Sequence, residues 1–129
     1  MKQIAAVKVF HEAFGIENNT KPVADLGLEV AMLRYELIRE ENEEYLEACR
    51  NKDLVEIADA LGDQLYILCG TILRHGLQDK IVEVFDEIHR SNMSKLGEDG
   101  KPIYREDGKV LKGPNYFKPN IADIINGDK

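Results

Sequence analysis

Residues 54–73 read LVEIADALGDQLYILCGTIL. The run is almost wholly apolar, yet it carries Glu56, Asp59 and Asp63 and no base. At about 100° per residue, Leu54, Ile57, Ala58, Leu61, Leu65, Leu68 and Ile72 fall on one side of a helix. The three acids fall on the other, within about 60° of arc. Val55, Ala60 and Ile67 flank them. A helix apolar nearly all round is expected to be buried, with the acids as a narrow polar line on a dry surface.

The segment before it carries the same anomaly. Val30, Leu33, Leu37 and Ala48 form an apolar line that, continued, passes through Glu41 and Glu44. Glu40 lies beside Glu44 at i, i+4, whereas Glu36, Glu43 and Glu47 fall on the outer, solvated side. Asn51-Lys52-Asp53 is a short turn, so the two helices should run antiparallel with their acidic stripes facing each other. Ionised carboxylates so close repel, and burying them costs several kcal/mol each. Either some of them take up protons or a cation sits among them. An all-oxygen donor set suits Mg²⁺ or Mn²⁺ better than Zn²⁺. One acidic helix face is ordinarily just a solvated face. Two on consecutive helices, one of them interrupting an apolar line, favour the shared pocket.

The rest of the composition narrows the classes. The 129 residues suffice for one domain with a core, and a net charge of −7 argues against nonspecific nucleic-acid binding. No charge-free apolar run reaches membrane-spanning length, and His11 and Glu12 interrupt any signal-peptide core. Cys49 and Cys69 have no metal-motif spacing and read as reduced core thiols of a cytoplasmic protein. The one Asp-x-x-His, Asp86 to His89, is too little for a di-iron bundle.

Along the chain, the spacing predicts a helix over residues 2–14 that stops at Gly15, followed by a loop rich in Asn, Pro and Gly. Helices follow over about 29–50 and 54–75, with Asp53 as N-cap, His75 as a capping residue and Gly76 as the stop. Another begins near Gln78 and runs toward Met93. The periodicity ends after Leu96. There the Asp-Gly pairs predict a small β-hairpin, with Ile103-Tyr104 facing Val110-Leu111, and a helical turn follows near residues 121–125. The expectation is a single all-α domain over 1–129: an antiparallel helical bundle over 1–96 and a C-terminal extension with the hairpin over 97–129.

REENEEYLEA and EIADALGDQLYIL resemble the all-α nucleoside triphosphate pyrophosphohydrolases, which include the MazG-like enzymes, dimeric dUTPases and phosphoribosyl-ATP pyrophosphohydrolases. Their pattern is Glu-Glu-x-x-Glu on one helix and Glu-x-x-Asp on the next. Glu40-Glu41-Asn42-Glu43-Glu44 matches the first. Glu56 to Asp59 matches the letters of the second, but the register that places Asp63 three residues before Tyr66 puts Ala60 at the Glu position. The tail, HRSNMSKLGEDGKPIYREDGKVLKGPNYFKPNI, resembles the extension of a MazG-like subgroup.

The resemblance implies a homodimer or homotetramer that hydrolyses a nucleoside triphosphate, NTP or dNTP, to the monophosphate and pyrophosphate with Mg²⁺. It implies Glu41, Glu44, Glu56, Asp59 and Asp63 as metal ligands, and Glu40 or Glu44 as the residue that activates water. Arg90, Asn92, Lys95, Lys109 and Lys112, which follow the acidic helices, are the candidates for substrate phosphate. A phosphoribosyl-ATP pyrophosphohydrolase is the nearest alternative, disfavoured by the extended tail. A noncatalytic helical interaction module is the alternative from another class.

Overall fold

A computed structural model describes residues 1–127. Five helices follow in order: α1 (Lys2–Ala13), α2 (Leu28–Arg50), α3 (Leu54–Arg74), α4 (Ile81–Met93) and α5 (Ile121–Asn126). They group into two compact units, one from Met1 to Asp79 and one from Lys80 onward. Among the described residues no helix is long and apolar enough to cross a membrane.

In the first unit α3 is the central helix, packed on both α2 and α1. Its ends form as their residues dictate. The Asp53 carboxylate accepts from the Glu56 N–H and starts the helix. At the other end Gly76 takes a φ of 67°, its N–H reaches the Leu73 carbonyl, and the Leu77 N–H reaches that of Ile72. The α1–α2 loop then covers the carbonyls this end leaves over. Asn19 donates to Leu73 O from its backbone and to Arg74 O from its side chain, and the Val23 N–H donates to His75 O. His75 Nδ1 lies 2.8 Å from Val23 O.

The core is small. α1 buries Ile4, Val7 and His11, one stripe at helical spacing, and α3 buries Ala60, Cys69, Gly70, Ile72 and Leu73. The burial expected for α3 is therefore only partial. Most of the side predicted to face the core is open: Leu54, Leu61, Leu65 and Leu68 are exposed, the least of them, Leu65, at 43%. The physical reason is that α1 and α2 cover two faces of α3, and no third element of this unit covers the remaining one.

In the second unit α4 packs with α5. The buried Ser91 hydroxyl donates to Phe117 O, and the Glu87 carboxylate accepts from the Asn120 N–H. These bonds tie the tail to α4 within the second unit, which begins at Lys80. The predicted β-hairpin reduces to a single antiparallel bridge between Tyr104 and Val110, with no strand among the described residues. The turn itself forms, through Leu111 N–H to Ile103 O and Arg105 N–H to Lys109 O. But residues 98–112 are all exposed, and a two-stranded ribbon with no buried face holds no ladder.

Candidate functional site

The α2–α3 pair brings the acids together. Gln64 donates from its side-chain amide to the backbone carbonyl of Glu41 at 3.3 Å, which sets Glu41 level with the Asp63 turn of α3. Glu41 is half-buried, and its Oε1 is fully buried with no hydrogen-bond partner. Burial, first, pushes its carboxyl above the usual range. The like charges of Glu44, Asp63 and Asp59 push it further in the same direction. Glu41, Glu44, Asp59 and Asp63 thus form one electrostatic cluster across the two helices.

Glu40 and Glu56 are not among the charges that raise Glu41. Both are exposed, as Glu44 and Asp59 also are, and Glu56 sits in the first turn of α3, where its backbone N–H is held by the Asp53 cap. On the outer face of α2, Glu36 and Glu43 both pair with Arg39, as their solvent-facing position suggests.

Among the described residues no group of three or more His, Cys, Asp or Glu side chains is drawn in tightly enough to hold a metal ion as it stands. Like charges spread apart, and Mg²⁺ is commonly held by one or two carboxylates while it keeps waters. The donor set still fits a hard dication. Every donor is a carboxylate oxygen, and the buried, unpartnered Oε1 of Glu41 is an acceptor that a cation would satisfy. Glu41, Glu44, Asp59 and Asp63 are the residues able to hold it.

The predicted basic group lies in the second unit. Arg90 pairs with Glu87 at 2.9 Å and stacks over Phe117 at 4.4 Å. Lys112 stacks over Tyr116 at 4.8 Å. α4 ends at Met93, so Asn92 is in its last turn while Lys95 lies beyond it, its N–H bonded to Asn92 O. Lys109 is exposed and belongs to the turn held by Asp107.

One side chain that positions the site, Gln64, and one buried polar group of the same unit, His11, were not singled out from the sequence as such. Gln64 follows Asp63 directly, and a lone amide at the edge of an apolar stripe was the available signal. Buried His11 pairs with Asn18 Oδ1 at 2.6 Å, a partner that only the loop after α1 supplies.

The chain has known relatives. The sequence pattern of the family described as Phosphoribosyl-ATP pyrophosphohydrolase matches residues 7–92, and the chain belongs to that family, within the all-α nucleoside triphosphate pyrophosphohydrolase superfamily. Protein L479 of Acanthamoeba polyphaga mimivirus, which has no described function, is 30% identical over 122 residues. The match takes in 92% of this chain and 45% of L479, so the chain spans less than half of that relative's length. A crystal structure of a proposed NTP pyrophosphohydrolase from Exiguobacterium sp. 255-15 is similar over 97% of this chain and 94% of that one, with 25% identity and a TM-score of 0.51.

Proposed function

We propose that this protein is a divalent-metal-dependent pyrophosphohydrolase that cleaves a nucleoside triphosphate, NTP or dNTP, to the monophosphate and pyrophosphate. The observation that carries the reading is the buried, unpartnered Oε1 of Glu41 amid Glu44, Asp59 and Asp63. A triphosphate is strongly anionic, so an acidic pocket binds it only through cations. Mg²⁺, with Mn²⁺ as substitute, would neutralise that charge and polarise the phosphorus under attack.

The protein's own groups do the rest. Glu41, Glu44, Asp59 and Asp63 would hold the dication. Glu44 or Glu40, both exposed, takes the proton of the attacking water. The water oxygen bonds to the α-phosphorus, the α–β anhydride bond breaks, and pyrophosphate leaves with the bond's electron pair. Arg90, Asn92, Lys95, Lys109 and Lys112 are the proposed partners of the phosphate oxygens, and all but Lys95 are exposed.

Family membership points to phosphoribosyl-ATP, and the Exiguobacterium relative to an NTP. Both carry a triphosphate and release pyrophosphate. The open apolar side of α3, with Leu54, Leu61, Leu65 and Leu68, supports assembly with a second copy as a homodimer or homotetramer. A panel of ribo- and deoxynucleoside triphosphates with phosphoribosyl-ATP, scored for pyrophosphate with Mg²⁺ and with EDTA, tests the reading. Release from at least one nucleotide in Mg²⁺ alone supports it. Release from none contradicts it.

A further inference from the structure

The chain has six arginines. Four of them, Arg39, Arg50, Arg90 and Arg105, pair with a carboxylate on their own segment. The other two, Arg34 on α2 and Arg74 at the end of α3, pair with none among the described residues, although the chain carries 24 acids. These two line one cleft of about 540 Å³ in the first unit. Ile16, Val30, Leu33 and Leu37 supply its apolar walls.

Both arginines are half-buried, and each is held by neutral groups. Arg34 donates from Nε to Thr71 Oγ1 at 3.0 Å and from Nη2 to Ile67 O at 2.7 Å. Arg74 donates from Nη1 to the backbone carbonyl of Glu17. Each fork therefore keeps further N–H groups free of these bonds. Glu17 also lines the cleft, but it is exposed and makes no ion pair with either arginine.

The seat of Arg34 is built into α3. Glycine inside a helix is unfavourable, yet position 70 is glycine. A Cβ there would meet Arg34 Nη2 at 2.5 Å and His11 Nε2 at 2.9 Å. The missing side chain is what admits the guanidinium. Two half-buried arginines lining one cleft repel and lose hydration, and burial, then the charge of Arg74, pull the Arg34 value down. An anion between them relieves both costs, and guanidinium forks match the tetrahedral oxygens of a phosphate.

We propose that the Arg34–Arg74 cleft is a phosphate-binding subsite, separate from the acidic cluster and independent of metal. Its size is that of a small-molecule site. Val30, Leu33 and Leu37 share their face of α2 with Glu41, and Arg34 is seven residues from it, about 10 Å along the helix. The phosphate has two sources: free phosphate, or a group at the far end of a substrate whose polyphosphate lies at the acids. The second source rests on the proposed activity. The subsite itself does not.

The probe is inorganic phosphate, titrated calorimetrically into the full chain in EDTA. The proposal expects saturable binding, weakened about tenfold or more in Arg34→Gln and in Arg74→Gln, and retained in Glu41→Gln. Circular dichroism checks folding. If Arg34→Gln does not fold, Arg74→Gln carries the test, because its side chain holds only one loop carbonyl. Absence of saturable phosphate binding, or wild-type binding in the folded arginine variants, overturns the proposal. A kinetic arm separates the sources. A raised KM with kcat retained in Arg74→Gln assigns the phosphate to the substrate, and an unchanged KM with phosphate binding lost assigns it to free phosphate. The calorimetric arm needs neither metal nor turnover, so its result stands apart from the fate of the proposed activity.

Discussion

Gln64 on α3 donates its side-chain amide to the main-chain carbonyl of Glu41 on α2 at 3.3 Å. That bond fixes the register at which acids from two helices meet. It holds the backbone of Glu41, while Oε1 of the carboxylate stays buried and unpartnered. The residue is positioned firmly but not neutralised, which suits a metal ligand.

Glu41→Gln should therefore cut pyrophosphate release by at least about a hundredfold, because it removes an anionic donor where charge must be balanced. The fold should be retained or slightly stabilised in EDTA, since one of four repelling carboxylates is gone. Thermal melts and a pyrophosphate assay on the same preparation check both halves.

The raised carboxyl of Glu41 has a definite pH signature. Its folded value lies above its unfolded value, so between the two the folded state binds more protons. This group's contribution to stability is complete below the unfolded value and is lost as pH rises through the folded one. Metal-free protein should lose stability across that interval, and Glu41→Gln should flatten the slope. Glu87 has the opposite sign. Its value is lowered, first by the Asn120 N–H and then by Arg90, so its contribution is lost as pH falls through the folded value. Denaturant midpoints measured across pH for Glu41→Gln and for Glu87→Gln separate the two.

Gly70→Ala should destabilise the first unit by about 1–3 kcal/mol, despite the better helix propensity of alanine. The added methyl meets Arg34 and His11 at under 3 Å, and both are fixed by their own bonds. Urea denaturation checks the sign. A stabilising effect would mean that these side chains move aside freely.

Leu65→Lys should shift the protein toward monomer in sedimentation velocity while leaving its helicity intact. Leu65 is exposed on the open side of α3, and a charge there disfavours burial against a second copy. A wild-type protein that is already monomeric at high concentration would contradict the proposed assembly.

The helical course of the chain was legible where local chemistry decides it. Asp53 starts α3 and Gly76 ends it because a cap acceptor and a positive φ act over a few residues. The meeting of Glu41 with Asp63 was legible too, since a short turn forces two helices antiparallel. What escaped depends on contacts distant in sequence. The Leu61–Leu65–Leu68 face reads as core on a wheel, and periodicity does not tell a face buried within the chain from one left open. The hairpin signals of Asp-Gly were read correctly as a turn, but a ladder needs a buried face that residues 98–112 lack. Nothing in the sequence marks Arg34, because only the fold shows that it lacks an acid.

The central claim is that Glu41 and Asp63, on different helices, hold one dication together. Calorimetric titration of Mn²⁺ into the wild type, Glu41→Gln and Asp63→Asn tests it most directly. The account predicts saturable binding in the wild type and sharply weaker binding in both variants, each still helical. Wild-type affinity in either variant, or no binding in any of the three, would contradict it.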